Sequence, residues 1–185
     1  TFSNGTAGSG YDTFTPLDIE HVAHDFNNDG FVDIFGGGSA IMLNNGDMTF
    51  TPTPVSARQG PIGDLNNDGF LDIQNENIIY FNIANDNNWI KINLQGTESN
   101  RNGIGARIEV YTAATGIEKQ IRDVKSGDGF RYMSSLNAHF GIGNAEAIEK
   151  VMVKWPSGVV DMILNPSINA SLLVVEGEHA MGTND

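Results

Sequence analysis

The sequence predicts an all-β chain in two parts, a segment of blade-like repeats and then an antiparallel β-sandwich. Glycine accounts for 22 of the 185 residues, and Asn-Gly, Asp-Gly and Gly-Gly steps recur. That is the chemistry of tight turns between short strands. The stretch DFNNDGFVD at residues 25–33 returns as DLNNDGFLD at 64–72, with seven of nine positions identical. Beyond Asn88, apolar and polar residues alternate in one run after another, as they do in half-buried antiparallel strands.

The two copies are offset by 64 − 25 = 39 residues, a period typical of one propeller blade or another repeat unit. Each crowds three carboxylates and an asparagine that repel or desolvate one another unless a positive charge sits among them. Read as cation loops, they offer Asp25, Asn27, Asp29 and Asp33 in the first and Asp64, Asn66, Asp68 and Asp72 in the second. The backbone carbonyls of Phe31 and Phe70 add a further oxygen to each. Gly30 and Gly69 permit the sharp turn that points ligands inward. All these donors are hard oxygens, which suits Ca²⁺ at six or seven coordination better than Mg²⁺, while Zn²⁺ prefers nitrogen or sulfur. Two Ca²⁺ sites are therefore expected.

An EF-hand begins the same way but needs a bidentate Glu at position 12 and flanking helices. Position 12 is Gly36 in one loop and Asn75 in the other, and a dockerin-like loop fails at the same place. The flanks FVDIFGGG and FLDIQNE favour strand, so a β-hairpin cation loop is expected. After the first loop, IML and TFT read as strands around a turn at Asn45-Gly46. In the second copy the strand NIIYFN is present, but the Asn-Gly turn and the Phe-Thr strand are missing.

The order of loop, strand, strand, turn and strand resembles the FG-GAP or VCBS repeat, the blade unit of calcium-binding β-propellers, over residues 18–84. Two such blades cannot close a ring, since propellers use about four to eight. Further blades, the sandwich or other copies of the chain are the candidates to cover the exposed edges and faces. The polar NDNN at 85–88 ends this segment.

In the second half, WIKINLQG, ARIEVYTA, EKQIRDVKSG, EKVMVKWPSG and SLLVVEG read as strands of a sandwich of seven or eight. Helix is expected only near NAEAIEK, as one short turn at most. NWIKINLQGTESNRNGIGARIEVY, followed by VKSGDGF, HFGIG and VKWPSG, resembles the ASPIC/UnbV domain over residues 88–176. That domain commonly follows VCBS repeats in secreted proteins of the cartilage acidic protein type. The resemblance implies an extracellular location and a β-rich binding or structural role, and it brings no catalytic residues. The resulting organisation is a calcium-loop β-propeller-type blade segment of two repeats at 1–87, an antiparallel β-sandwich at 88–177 and a polar tail at 178–185.

Composition bounds the function. Net charge is −13 with 10 basic residues, which disfavours nucleic acid and anionic membranes. Arg58 is the one basic residue before Asn88. No cysteine is present, so disulfides and thiolate sites are excluded, and metal is the alternative staple. No apolar run has the length of a membrane span, and no signal peptide is visible at Thr1. Sequons stand at Asn4 and Asn169.

Other candidates carry less. His21 and His24 fall on opposite faces of a strand, poor geometry for a shared metal. His139 is expected to bond a turn, and His179 lies in the polar tail. GIGNAE and GIGARI lack the third glycine and the helix of a dinucleotide loop. No G-x-S-x-G elbow exists, and Ser157 sits on a turn. Trp89 and Trp155 are candidate sugar platforms. The expected function is a secreted, non-enzymatic calcium-binding structural or adhesive module, with other copies of itself or other extracellular proteins as partners. A carbohydrate-binding module is the alternative, and a calcium-dependent hydrolase a distant third.

Overall fold

The computed structural model describes residues 1–13, 21–36, 40–112, 119–127 and 132–181. The end of the VKSGDGF stretch and of the polar tail lie outside them. The chain divides into two compact units: Thr1–Asn27, Phe31–Asn85 and Gly127–Ser134 form one, and Asn28–Gly30, Asp86–Ser126 and Ser135–Asp185 the other. The fold is all-β, with several sheets and, among the described residues, no closed barrel. The only helical feature among the described residues is a 3₁₀ turn at Tyr11–Thr13.

In the first unit, β1 (Val22–His24), β2 (Asp33–Phe35), β3 (Ala40–Asn44) and β4 (Phe50–Pro54) form an antiparallel sheet in chain order. A second sheet holds β5 (Ile62–Gly63), β6 (Asp72–Asn75) and β7 (Ile78–Tyr80), also antiparallel. The expected turn at Asn45-Gly46 joins β3 to β4, with Gly46 at φ 79°. Its close approach is also a glycine requirement, since a Cβ there would meet the Phe31 ring at 2.5 Å. Among the described residues the second sheet has no counterpart of β4, in keeping with its shortened sequence. Val22, Phe26, Phe35, Ile41, Leu71 and Ile73 form this unit's core.

Among the described residues the second unit is a sandwich of seven strands. β8 (Asn88–Gln95), β9 (Arg107–Thr112), β10 (Lys119–Asp123), β11 (Ala138–Gly143), β12 (Ile148–Lys154), β13 (Val160–Leu164) and β14 (Ala170–Val175) follow in order. One sheet runs β10-β9-β12-β13 and the other β11-β8-β14. Alternate residues from both, including Ile90, Ile92, Ile108, Val110, Phe140, Val151, Val153 and Val174, share one core. The alternation changes phase once. A register shift between Ile148 and Lys150 inserts one residue, so the buried set passes from Ile148 to Val151 and Val153.

Two expectations need correction. The sandwich is not wholly antiparallel, because β14 pairs with β8 in parallel, Ala170 opposite Ile90 through Val175 opposite Gln95. Alternation reports which face a side chain takes, not the direction of its neighbour. The short helical turn near NAEAIEK is also absent. Ala145 and Ile148 are buried in the core, and the chain is already strand from Ile148. Packing overrides the helix propensity of Ala and Glu there.

Two buried carboxylates fix the sandwich's irregular end. Asp161, fully buried, accepts Trp155 Nε1–H at 2.7 Å and the amides of Gly177 and His179 at 2.9 and 2.8 Å. Glu176, 4% exposed, accepts the amides of Thr97, Glu98 and Ser99 at 2.7, 2.8 and 2.7 Å. Its other oxygen accepts the hydroxyls of Ser99 at 2.7 Å and Ser157 at 2.5 Å. The WPSG motif thus closes on two acids, Trp155 on one and Ser157 on the other. Burial pushes the Glu176 carboxyl up, but the Ser157 and Ser99 hydroxyls and the Ser99 and Thr97 amides outweigh it. They hold it at about 2, against an ordinary 4.5.

A carboxyl depressed on folding stabilises the protein fully above its unfolded value, and the contribution fades as pH falls toward the folded value. Stability of the second unit should therefore decline as pH drops from 4.5 toward about 2. Glu176→Gln should cost about 1–3 kcal/mol at neutral pH and flatten that decline. Urea unfolding of both proteins across this pH range, followed by tryptophan fluorescence, checks it. Parallel pH profiles would contradict the assignment.

Candidate metal centre

Each repeated loop bridges an antiparallel pair, β1 to β2 in the first copy and β5 to β6 in the second. The loops share their backbone. Asn28 and Asn67 both take φ 60°, and Gly30 and Gly69 take φ 94° and 88°. Asparagine tolerates this left-handed region because its side chain bonds locally, and glycine has no Cβ to clash. Two such residues within three positions curl the loop.

The position-nine aspartates lock that curl. Asp33 Oδ2 accepts the Phe26 amide at 2.8 Å, and Asp72 Oδ2 accepts the Leu65 amide at 2.8 Å. The other oxygen reaches past the next strand: Asp33 Oδ1 accepts the Asn44 amide and Asp72 Oδ1 the Asn82 amide, both at 2.8 Å. Asn44 and Asn82 complete the motif with their side chains. Asn44 Nδ2 donates to Val32 O at 3.0 Å, and Asn82 Nδ2 to Leu71 O at 3.1 Å. Asn82 also donates to Phe26 O at 2.7 Å, joining the second repeat to the first loop. Neither asparagine was singled out from sequence. Their signal is a shared place after the second strand of each copy, at an offset of 38 rather than 39.

The remaining candidate ligands sit as follows. Asp25 is buried, Asn27, Asp29 and Phe31 are half-buried, and Asp33 is fully buried. In the second loop Asp64 is half-buried, Asn66 and Asp68 are exposed, and Phe70 and Asp72 are buried. Asp64 Oδ2 accepts the Gly69 amide at 3.1 Å, Asn66 Oδ1 the Asp68 amide at 3.1 Å, and Asp68 Oδ1 the Phe70 amide at 2.8 Å. Asn66 Nδ2 donates to Asp68 Oδ2 at 2.8 Å. At the first position of each loop one oxygen, Asp25 Oδ1 and Asp64 Oδ1, is buried and accepts no hydrogen bond, while both residues are engaged elsewhere.

Among the described residues, no group of three or more His, Asp or Glu side chains is gathered to hold a metal by itself. A cation in these loops would therefore draw on the amide oxygens of Asn27 and Asn66 and the carbonyls of Phe31 and Phe70 as well. Burial pushes the Asp72 carboxyl up, the Asn82 and Leu65 amides oppose that, and the charges of Asp68 and Asp64 add to the rise. Such crowding of negative charge is what a divalent cation relieves. The all-oxygen donor set fits a hard cation.

The other candidates resolve into structural roles. His24 is half-buried and meets the Phe26 ring edge-on at 6.0 Å, while His21 is exposed. Within the second unit His139 Nε2 lies 2.7 Å from Asn28 Oδ1, and its ring stacks on Trp89 at 6.4 Å. Trp155 is 4% exposed, which removes it as a sugar platform.

The comparisons agree with this layout. The model of the FG-GAP-like repeat matches residues 25–73, spanning both loops, and the ASPIC and UnbV model matches residues 96–180. The chain carries an FG-GAP-like repeat followed by an ASPIC and UnbV domain. FG-GAP repeats are typical of extracellular or cell-surface proteins, and the two domains together suggest an adhesion-type module. No curated protein matches the chain. Among the described residues no helix is long and apolar enough to cross a membrane.

The Asn82 clasp gives a direct test. Asn82→Ala should destabilise the first unit by about 1–3 kcal/mol, because it strips two carbonyls of their donors. Asn77→Ala, on the exposed turn before β7, should stay within about 0.5 kcal/mol. Urea unfolding followed by far-UV circular dichroism compares them. Equal effects would show that the clasp contributes nothing specific.

Proposed function

We propose that the chain is a non-enzymatic, calcium-binding structural or adhesive module, secreted or displayed at the cell surface, that associates with further copies of itself. The observation that supports it best is the duplicated loop geometry. Two loops of one sequence pattern share the same left-handed residues, the same position-nine clasp and the same oxygen donors. Asp25, Asn27, Asp29, Asp33 and the Phe31 carbonyl would hold one Ca²⁺. Asp64, Asn66, Asp68, Asp72 and the Phe70 carbonyl would hold the other. Ca²⁺ accepts such a mixed, irregular oxygen set, whereas Mg²⁺ demands a strict octahedron.

Binding to the folded loops alone stabilises them by mass action. A site of about 10⁻⁴ M at about millimolar Ca²⁺ adds about 1.4 kcal/mol, and two add about 3. Melting should therefore rise on the order of 10 °C from chelator to millimolar Ca²⁺. Coincident curves, with no metal found by elemental analysis, would sink the reading.

The two sites should also separate. Asp68→Ala removes a charged ligand from the second loop and should halve the Ca²⁺ stoichiometry in isothermal titration. Asp29→Ala should do the same from the first loop, and Glu178→Ala, exposed beyond β14, should leave both sites intact. Two unchanged sites in either loop variant would refute the ligand assignment.

A further inference from the structure

The four-stranded sheet of the second unit has one face in the core and one turned away from it. Ile108, Val110, Val151 and Val153 lie in the core, so the residues alternating with them take the other face. The registers of β10, β9 and β12 set Lys119, Tyr111 and Lys150 side by side in one row across that face. The next row, continued onto β13, is Ile121, Glu109, Met152 and Met162.

The acid in this face is covered and the bases are not. Glu109 is 3% exposed. It accepts Lys154 Nζ and the Tyr111 hydroxyl, both at 2.7 Å, and Lys119 Nζ stands 3.8 Å away. The Lys119 and Lys154 side chains remain 40% and 45% exposed. Arg107, in the following row, is matched by Asp123 at 2.8 Å. Lys150 is set differently. Its Nζ lies over the Tyr111 ring at 4.5 Å, with Lys119 Nζ at 5.9 Å from the same ring, and no carboxylate among the described residues pairs with it. Two ammonium groups are thus held close to one aromatic ring, which attracts both but cancels the charge of neither.

We propose that this outer face binds an acidic polysaccharide, a chain of uronic or sulfated sugars. A carboxylate or sulfate would be taken between the Lys119 and Lys150 ammonium groups, and sugar C–H faces would lie against Ile121, Met152 and Met162. Such a chain matches the face on both counts, since it spaces its charges along rings with apolar sides. The net charge of −13 does not forbid it, because that charge is unevenly divided. Residues 1–87 hold twelve acids against one base, and residues 88–185 eleven against nine. Salt screens charges beyond about 8 Å at physiological ionic strength, so a polyanion meets the local face. Nucleic acid, with its denser charge, calls for a more basic unit than this. The proposal depends neither on bound calcium nor on self-association.

Isothermal titration of the full-length chain with polygalacturonate, heparin and dextran, in chelator, tests it. The acidic carboxylate or sulfate polymer should bind and the neutral dextran should not. A Lys119→Ala/Lys150→Ala double variant should bind at least about tenfold more weakly, since it removes two charge-assisted contacts, with its circular dichroism unchanged. Lys150→Arg keeps the charge and should keep the affinity. Arg58→Ala removes the same charge from an exposed position in the first unit and should stay within about twofold. Failure to bind either acidic polymer in chelator would overturn the proposal, and so would equal losses in the Arg58 and double variants. Binding of dextran as tight as that of the acidic polymers would do the same. If the double variant kept polymer binding but lost binding to phosphatidylserine vesicles, or lost self-association by light scattering, the face would belong to that other partner and the proposal would fall.

Discussion

In each repeated loop a single buried carboxylate, Asp33 or Asp72, holds three pieces of chain together. One oxygen takes the amide of the loop's second residue, and the other takes the amide at the end of the following strand. The loop entry, the strand leaving it and the strand after that are thereby fixed to one side chain. The left-handed residues at positions four and six curl the chain, but the carboxylate keeps it curled. The candidate cation ligands, the hairpin register and the placing of Asn44 and Asn82 all follow. Charge-assisted bonds of this kind are about twice as strong as neutral ones. That suits a unit whose strands are only two to five residues long.

The second unit uses the same physics for another purpose. Asp161 and Glu176 are buried, and the bonds they accept come from amides, hydroxyls and an indole N–H. Oriented donors replace water around each carboxylate and so offset the cost of burying it. Acidity in this chain is thus partly internal. The net charge of −13 suggests a solvated exterior, but several of its carboxylates are ties that join loops to strands.

Much of this was legible in the sequence. The duplicated nonapeptide announced the loops, their β flanks ruled out helices, and the missing Asn-Gly turn foretold the shorter second sheet. Alternation located β8, β9, β10, β12 and β14, but not β13 or β11, which is buried at every position and so shows no alternation. The parallel pairing of β14 was invisible, since a side chain's face says nothing of its neighbour's direction. NAEAIEK misled because local propensity favours helix while Ala145 and Ile148 are drawn into the core. Asn44 and Asn82 carry no signal at the loop offset, because the second hairpin is one residue shorter and they fall 38 residues apart instead of 39. Nothing in the sequence marks Glu176 and Asp161 as buried, and only the fold shows that Trp155 and the two serines turn inward onto them.

The pairing of β8 with β14 has a consequence for how the second unit is made. Its first strand and its last are direct neighbours, Ile90 opposite Ala170, 80 residues apart along the chain. Non-local contacts of this kind delay folding, because a long loop must close before they stabilise anything. During synthesis β8 emerges early and waits for β14, with one flank of a core strand open until the end of the domain leaves the ribosome. The unit is thus assembled all at once and late, and its opening segment spends the longest time exposed.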